Sequence, residues 1–208
     1  MDSTASQPVD VAANSVAVEG RTAAQRQVSW DKIRELLPHT QSAEDKTRRI
    51  ALFRQFDTNN STRLTYDEFY RGCKDILHLD TITTHLGFIV KDSFDRARAL
   101  GNSIGGGQGS PDYVEFLEFR MLLSFVYNLL EMTMMFDTLD FFPDGFIRFD
   151  EFQASRETIK SWGYDIPDLE AAWKELDANG SGQASFEEFC VWAKAHKLDI
   201  DGDPNNLL

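Results

Sequence analysis

The chain has 208 residues, 42% hydrophobic and 26% charged, enough for one large domain or two small lobes with a core each. Its net charge of −13, from 34 Asp and Glu against 21 Lys and Arg, excludes the basic footprint of a nucleic-acid binder and disfavours unaided docking on anionic lipid. Cys73 and Cys190 are the only cysteines, too few for a disulfide framework or a CxxC zinc site, so the chain reads as a cytoplasmic protein whose thiols are small buried hydrophobes.

Residues 1–26 lack large apolar side chains and any periodicity, and are expected to be disordered. They have neither the basic start nor the apolar run of a secretory signal. Ser29 caps a predicted helix carrying Trp30, Ile33 and Leu37, which Pro38 stops. Ser42, with Asp45 three residues on, starts the next, whose apolar face is Ile50, Phe53 and Phe56. A polar cluster from Asp57 follows, then a helix with Tyr66, Phe69, Tyr70, Cys73, Ile76 and Leu77 at helical spacing.

The pattern repeats with a period of roughly 35 residues. Leu86, Ile89, Val90, Phe94 and Ala97 form a stripe that ends in a glycine-rich break, Gly101 to Pro111. Val114 to Phe136 is apolar nearly all round and predicts one helix, or two in series, at the centre of the core. Its most apolar window, Met121 to Leu130, is too short to span a bilayer. After a turn at Phe141–Gly145, Phe149, Phe152 and Ile159 mark a helix that Gly163 ends. Leu169, Ala172, Trp173 and Leu176 lead into a second polar loop, and Phe186, Phe189, Cys190 and Ala193 lead out. Residues 198–208 read as a polar tail.

Helix, twelve-residue polar loop, helix is the pattern of a calcium-binding hand. Oxygens come from loop positions 1, 3, 5, 7 and 9 and from a bidentate Glu at 12, and position 6 wants Gly because the chain turns there with φ > 0. The loop 177–188 fits throughout: Asp177, Asn179, Ser181, the Gln183 carbonyl, Ser185 through water, and Glu188, with Gly182 at the turn. The loop 140–151 is damaged. Asp140, Asp144, Gly145, Ile147 and Glu151 are in register and Phe146 offers its carbonyl, but position 3 is Phe142 and position 9 is the cation Arg148. The loop 57–68 keeps Asp57, Asn59, Ser61, Arg63 at position 7, Thr65 and Glu68, but has Thr62 at the turn. A β-branched residue forced to φ > 0 costs on the order of 1–3 kcal/mol.

A fourth hand is vestigial. Val114, Glu118 and Phe119 fit positions 8, 12 and 13, but the stretch back to Asp95 is too long and too rich in glycine, and no calcium is expected there. Gly105 to Gly109 is not a phosphate loop either, since no GK[ST] follows. The expected fold is all-α. Four helix–loop–helix units pair into two lobes by short β contacts at position 8, Leu64 with Val114 and Ile147 with Ala184. One lobe spans 27–125, with hands at 46–78 and 83–125; the other spans 126–197.

The run VEFLEFRMLLSFVYNLLEMTMMFDTLD, with SWDKIRELLP and TRRIALFRQFDTNN before it and DANGSG after it, resembles the flagellar calcium-binding proteins (calflagins) of kinetoplastid flagellates, members of the EF-hand superfamily. The resemblance covers roughly residues 27–203, nearly all the expected ordered chain. It implies a four-hand calcium sensor whose two C-terminal hands, here the loops from Asp140 and Asp177, are the functional ones. It also implies flagellar membrane attachment through N-terminal acyl chains. This sequence has Asp2 where that motif needs Gly, and no cysteine before Cys73, so this N-terminus is not expected to carry the anchor.

The function expected is therefore Ca2+ binding by the C-terminal pair, with a conformational change that opens a Met/Phe-lined cleft to a protein target. The cleft candidates are Met132, Met135, Phe136, Phe152, Trp173 and Phe189. The alternatives are a calcium buffer and an adaptor that binds its partner without calcium. No enzyme is expected, since His39, His78, His85 and His196 lack metal-site spacing and no GxSxG occurs.

Overall fold

A computed structural model of the chain describes residues 32–105 and 112–200. The expected disordered segment 1–26, the Ser29 cap, Trp30, the middle of the glycine-rich break and the end of the tail lie outside the described residues.

A short helix over residues 32–36 (α1) precedes Pro38. Ser42 accepts the backbone N–H of Asp45 and opens α2, Ala43–Phe56. Then follow β1 (Arg63–Thr65) and α3 (Tyr66–Arg71), which continues as a π-helical turn, Gly72–Ile76. Gly72 is required there, because a Cβ would lie 2.4 Å from the Phe56 ring. The chain goes on through α4 (Leu86–Gly105), β2 (Tyr113–Glu115) and α5 (Phe116–Leu139). Next come β3 (Ile147–Arg148), α6 (Phe149–Ala154) and α7 (Arg156–Ser161). The last elements are α8 (Leu169–Leu176), β4 (Gln183–Ala184) and α9 (Phe186–Ala195).

The strands pair as the loop register demands. β1 runs antiparallel to β2 with Leu64 opposite Val114, and β3 antiparallel to β4 with Ile147 opposite Ala184. All four of those side chains are buried. Each contact thus ties two loops together through an apolar residue, while the flanking positions stay free to supply oxygens.

In three places the fold departs from what composition suggests. α4 continues through Gly101 to Gly105, into the stretch expected to break it. α5 is a single helix that passes through the expected lobe boundary at 125/126 without interruption. It is thus both the outgoing helix of the second hand and the incoming helix of the third. The tail does not begin at 198 as a polar segment: Leu198 is fully buried.

The core forms one continuous cluster around α5, whose buried residues include Leu122, Leu123, Val126, Leu129, Leu130, Met135 and Phe136. Phe53 and Phe56 from α2 meet Phe119 edge-on at 5.2 and 5.9 Å. Phe136 meets Phe186 and Phe189 of α9 at 5.5 and 5.7 Å. His85, just before α4, stacks on Phe186 at 4.1 Å and meets Phe136 at 5.7 Å. Burial lowers the pKa of His85, so the ring is neutral at physiological pH and packs as an aromatic. The two lobes therefore share a core instead of being joined by a solvated linker.

Candidate metal centres

Loops 57–68 and 177–188 fold alike at positions 1, 3, 5 and 9. In the last loop Asp177 accepts the N–H of Ser181 at 3.0 Å on one carboxylate oxygen and that of Gly182 at 2.9 Å on the other. Asn179 Oδ1 accepts the same Ser181 N–H at 2.8 Å. In the first loop Asp57 accepts from Ser61 and Thr62 at 2.9 and 2.8 Å, and Asn59 from Ser61 at 2.8 Å. The hydroxyls of Ser61 and Ser181 each donate to a position-7 carbonyl, Arg63 O at 2.9 Å and Gln183 O at 2.7 Å. Thr65 and Ser185, at position 9, stand at the N-caps of α3 and α9.

Thr62 takes φ +66°, close to the +86° of Gly182 at the equivalent turn. The sequence defect at position 6 does not alter the loop. The charge-assisted bond that the Thr62 N–H donates to Asp57 holds Thr62 in its strained conformation. Thr62→Gly is expected to raise the thermal stability of the protein by about 1 kcal/mol, because glycine adopts the left-handed region without a Cβ clash. Thr62→Ala, which keeps the Cβ, should give none of that gain in the same melting experiment.

The glutamate at position 12 does two jobs. Glu68, Glu118, Glu151 and Glu188 each accept the backbone N–H of the residue three before, at 3.1, 3.1, 2.9 and 3.0 Å. This caps the outgoing helix. The second oxygen turns into the loop: Glu188 accepts the N–H of Asn179 at 3.2 Å, and Glu151 that of Phe142 at 2.9 Å. Glu68 and Glu151 are buried at 3% and 2% exposure, an expensive place for a carboxylate unless it has donors or a cation. The vestigial hand keeps this cap at Glu118, while residues 106–111 of its loop lie outside the described residues.

Loop 140–151 keeps the turn, with Gly145 at φ +84° and its N–H on Asp140 at 3.0 Å, but differs in its charges. The Phe142 side chain is exposed and supplies nothing. Arg148 forms an ion pair with Asp144, so the cation at position 9 engages the carboxylate at position 5. The sequence flagged both residues but not their pairing. Asp140 Oδ1 is buried and has no hydrogen-bond partner. Burial, with repulsion from Glu151 and Asp144, pushes the Asp140 carboxyl above its ordinary range, against the backbone N–H groups of Gly145 and Asp144, which lower it.

An orphaned, buried carboxylate oxygen beside two more carboxylates is what a cation would satisfy. The donors across the three loops are carboxylate, amide, hydroxyl and peptide oxygens, the hard set that Ca2+ takes and that thiophilic metals do not. Among the described residues no three His, Cys, Asp or Glu side chains form a ready metal cluster. Burial also pushes the thiols of Cys73 and Cys190 far above the ordinary range, which leaves both inert as nucleophiles or ligands.

Residues 33–126 match the FCaBP EF-hand domain family. Over 202 residues the chain is 45% identical to "Flagellar calcium-binding protein TB-1.7G" of Trypanosoma brucei brucei, covering 97% of this chain and 88% of that one. The chain belongs to the flagellar calcium-binding protein family. Another relative in this family, from Trypanosoma cruzi, is 44% identical over 178 residues, 86% of this chain and 84% of its own. These relatives are named as calcium-binding proteins and not as enzymes. "Calcium-dependent protein kinase 9" of Arabidopsis thaliana is 27% identical over 146 residues, covering 70% of this chain and 24% of the kinase. A solved chain from the "Chaetomium theromophilum TREX2 CID domain complex" aligns at 21% identity and a TM-score of 0.27, too loose an overlay to bear on function. Among the described residues of this family member, no helix is long and apolar enough to cross a membrane.

Proposed function

We propose that the chain is a calcium sensor whose C-terminal pair of hands binds Ca2+ and rearranges to take up a protein partner. The observation that carries this reading is the oxygen cradle of the last loop, repeated at positions 1, 3, 5 and 9 in the first. In the last hand Asp177, Asn179, Ser181, Glu188 and the Gln183 carbonyl would hold the ion. In the third hand Asp140, Glu151 and the Phe146 carbonyl would hold it, with Asp144 divided between the site and Arg148. In the first, Asp57, Asn59, Ser61, Glu68 and the Arg63 carbonyl would do so.

Bound Ca2+ supplies positive charge to carboxylates that otherwise repel one another. The chain does the rest. Glu188 lies in the first turn of α9, so any inward pull on its carboxylate is a pull on that helix. The Ile147–Ala184 contact couples the two hands, so one cannot shift without the other. The partner surface would be Met132, Met135, Phe136, Phe152, Trp173 and Phe189. All six are buried or half-buried in this conformation, and the helices must part before a partner can reach them. The names of the trypanosome relatives support work in the flagellum.

A buffer is the second reading. It is favoured by the shared core, where Phe136 touches both His85 and Phe186 and resists opening. One titration separates the two. Three of the four tryptophans, Trp162, Trp173 and Trp192, sit in the C-terminal pair, so tryptophan emission reports on it once Trp30 is replaced by Phe. Adding Ca2+ in physiological Mg2+ should change that emission and raise the fluorescence of a hydrophobic dye. Calorimetric heat without either optical change would make the chain a buffer, and neither heat nor an optical change at submillimolar calcium would make the 177–188 loop structural.

A further inference from the structure

We propose that residues 197–200 form a latch that holds the C-terminal pair of hands closed, so that release of this segment is a step in exposing the apolar face. This rests on the sensor reading above. α9 ends with Lys197 in the left-handed region at φ +55°. The N–H groups of Lys197 and Leu198 return to the carbonyls of Lys194 and Ala193 at 3.2 and 3.0 Å, which turns the chain back over the pair. Leu198 is then fully buried in the common core.

The next two residues bridge the arms of the third hand. The Asp199 N–H donates to the carbonyl of Trp162, directly after α7, at 3.1 Å. The Ile200 N–H donates to Glu131 Oε1, in the middle of α5, at 2.7 Å. α5 is the incoming helix of the third hand, and α6 with α7 is its outgoing arm. One short segment is thus bonded to both arms of the third hand and is continuous with the outgoing helix of the fourth. Parting those arms requires breaking at least one of the two bonds, and it uncovers Leu198. Glu131, only 1% exposed, would lose a donor to a carboxylate that needs one.

A segment that stabilises the closed arrangement lowers the population competent for any ligand that favours the open one. Leu198→Ala and a chain ending at Lys197 should therefore both bind Ca2+ more tightly. For the shortened chain the gain should be about tenfold, the change implied by removing one hydrogen bond to a charged group; Leu198→Ala should shift affinity the same way through the lost apolar anchor alone. Both should also bind a hydrophobic dye without calcium, where the native chain does not. Leu198→Ala keeps the backbone bonds, so it tests the apolar anchor even where the shortened chain folds poorly. Far-UV circular dichroism checks the fold of each. Folded variants with native calcium affinity and no calcium-free dye signal would overturn the latch. If the native chain shows no optical response to calcium, the sensor reading fails. Dye binding by the calcium-free shortened chain would still support the latch as the cover of that face.

Discussion

Glu188→Gln is expected to weaken calcium binding at the last hand on the order of 100-fold, or about 2.8 kcal/mol at 1.4 kcal/mol per decade. The substitution is nearly isosteric, so the effect isolates one charge and one strong oxygen ligand. It does more than empty one ligand position. Glu188 accepts the N–H groups of Asn179 and Ser185 and the hydroxyl of Ser185, at 3.2, 3.0 and 3.0 Å. A glutamine amide has one acceptor oxygen for these three donors. The loop should therefore lose order at position 3 or at the α9 cap. Calorimetric titration would show the tightest event lost, together with the tryptophan response it drives. Glu118→Gln in the vestigial hand is the control. It removes the same helix-capping carboxylate from a loop with no calcium role assigned, and it should leave the titration as in the native chain. A native titration from Glu188→Gln would show that the ion is held elsewhere.

Phe136→Ala is expected to destabilise the whole protein, and not one lobe, by about 3–5 kcal/mol, the cost of removing a buried phenylalanine. Phe136 is 1% exposed and touches Phe186 and Phe189 of α9 as well as His85 before α4. Its loss opens a cavity where the two lobes meet, and neither lobe can fill it without moving away from α5. Calorimetry should give a lower unfolding temperature, with the single native transition splitting as the lobes uncouple. Leu117→Ala on the same helix is the comparison. That side chain is 84% exposed, and its removal should change stability by less than about 0.5 kcal/mol. A single, barely shifted transition for Phe136→Ala would show that the lobes do not depend on this junction.

The hands themselves were legible because their chemistry is local. A loop of fixed length with set positions for carboxylates, glycine and an apolar contact residue can be read from a single stretch of chain. Leu64 opposite Val114 and Ile147 opposite Ala184 followed from counting to position 8. Gly163 was legible as a helix stop for the same reason, and it takes φ +105°. At Thr62 the reading was right about the strain but incomplete. The cost of a positive φ was visible in the residue, whereas the bonds from the Ser61 and Thr62 N–H groups to Asp57 that hold the turn there depend on the folded loop.

By itself, then, the sequence determined the register of the polar loops, the pairing at position 8 and most of the apolar faces, which rest on spacing within short stretches of chain, and the family through likeness along most of its length. Only the tertiary structure decided three things. α5 runs unbroken between the lobes because apolar residues all round it are covered from both sides, by α2 and α4 and by α9. Arg148 settles on Asp144, a choice between carboxylates that depends on where the turn places each. Leu198, in what composition makes a polar tail, is buried, and the N–H groups of Asp199 and Ile200 donate to the Trp162 carbonyl and to Glu131, the latter 69 residues from Ile200 along the chain. Contacts of that kind are set by the whole packed core, because burying one leucine and satisfying one buried carboxylate has value only once the surfaces they cover exist.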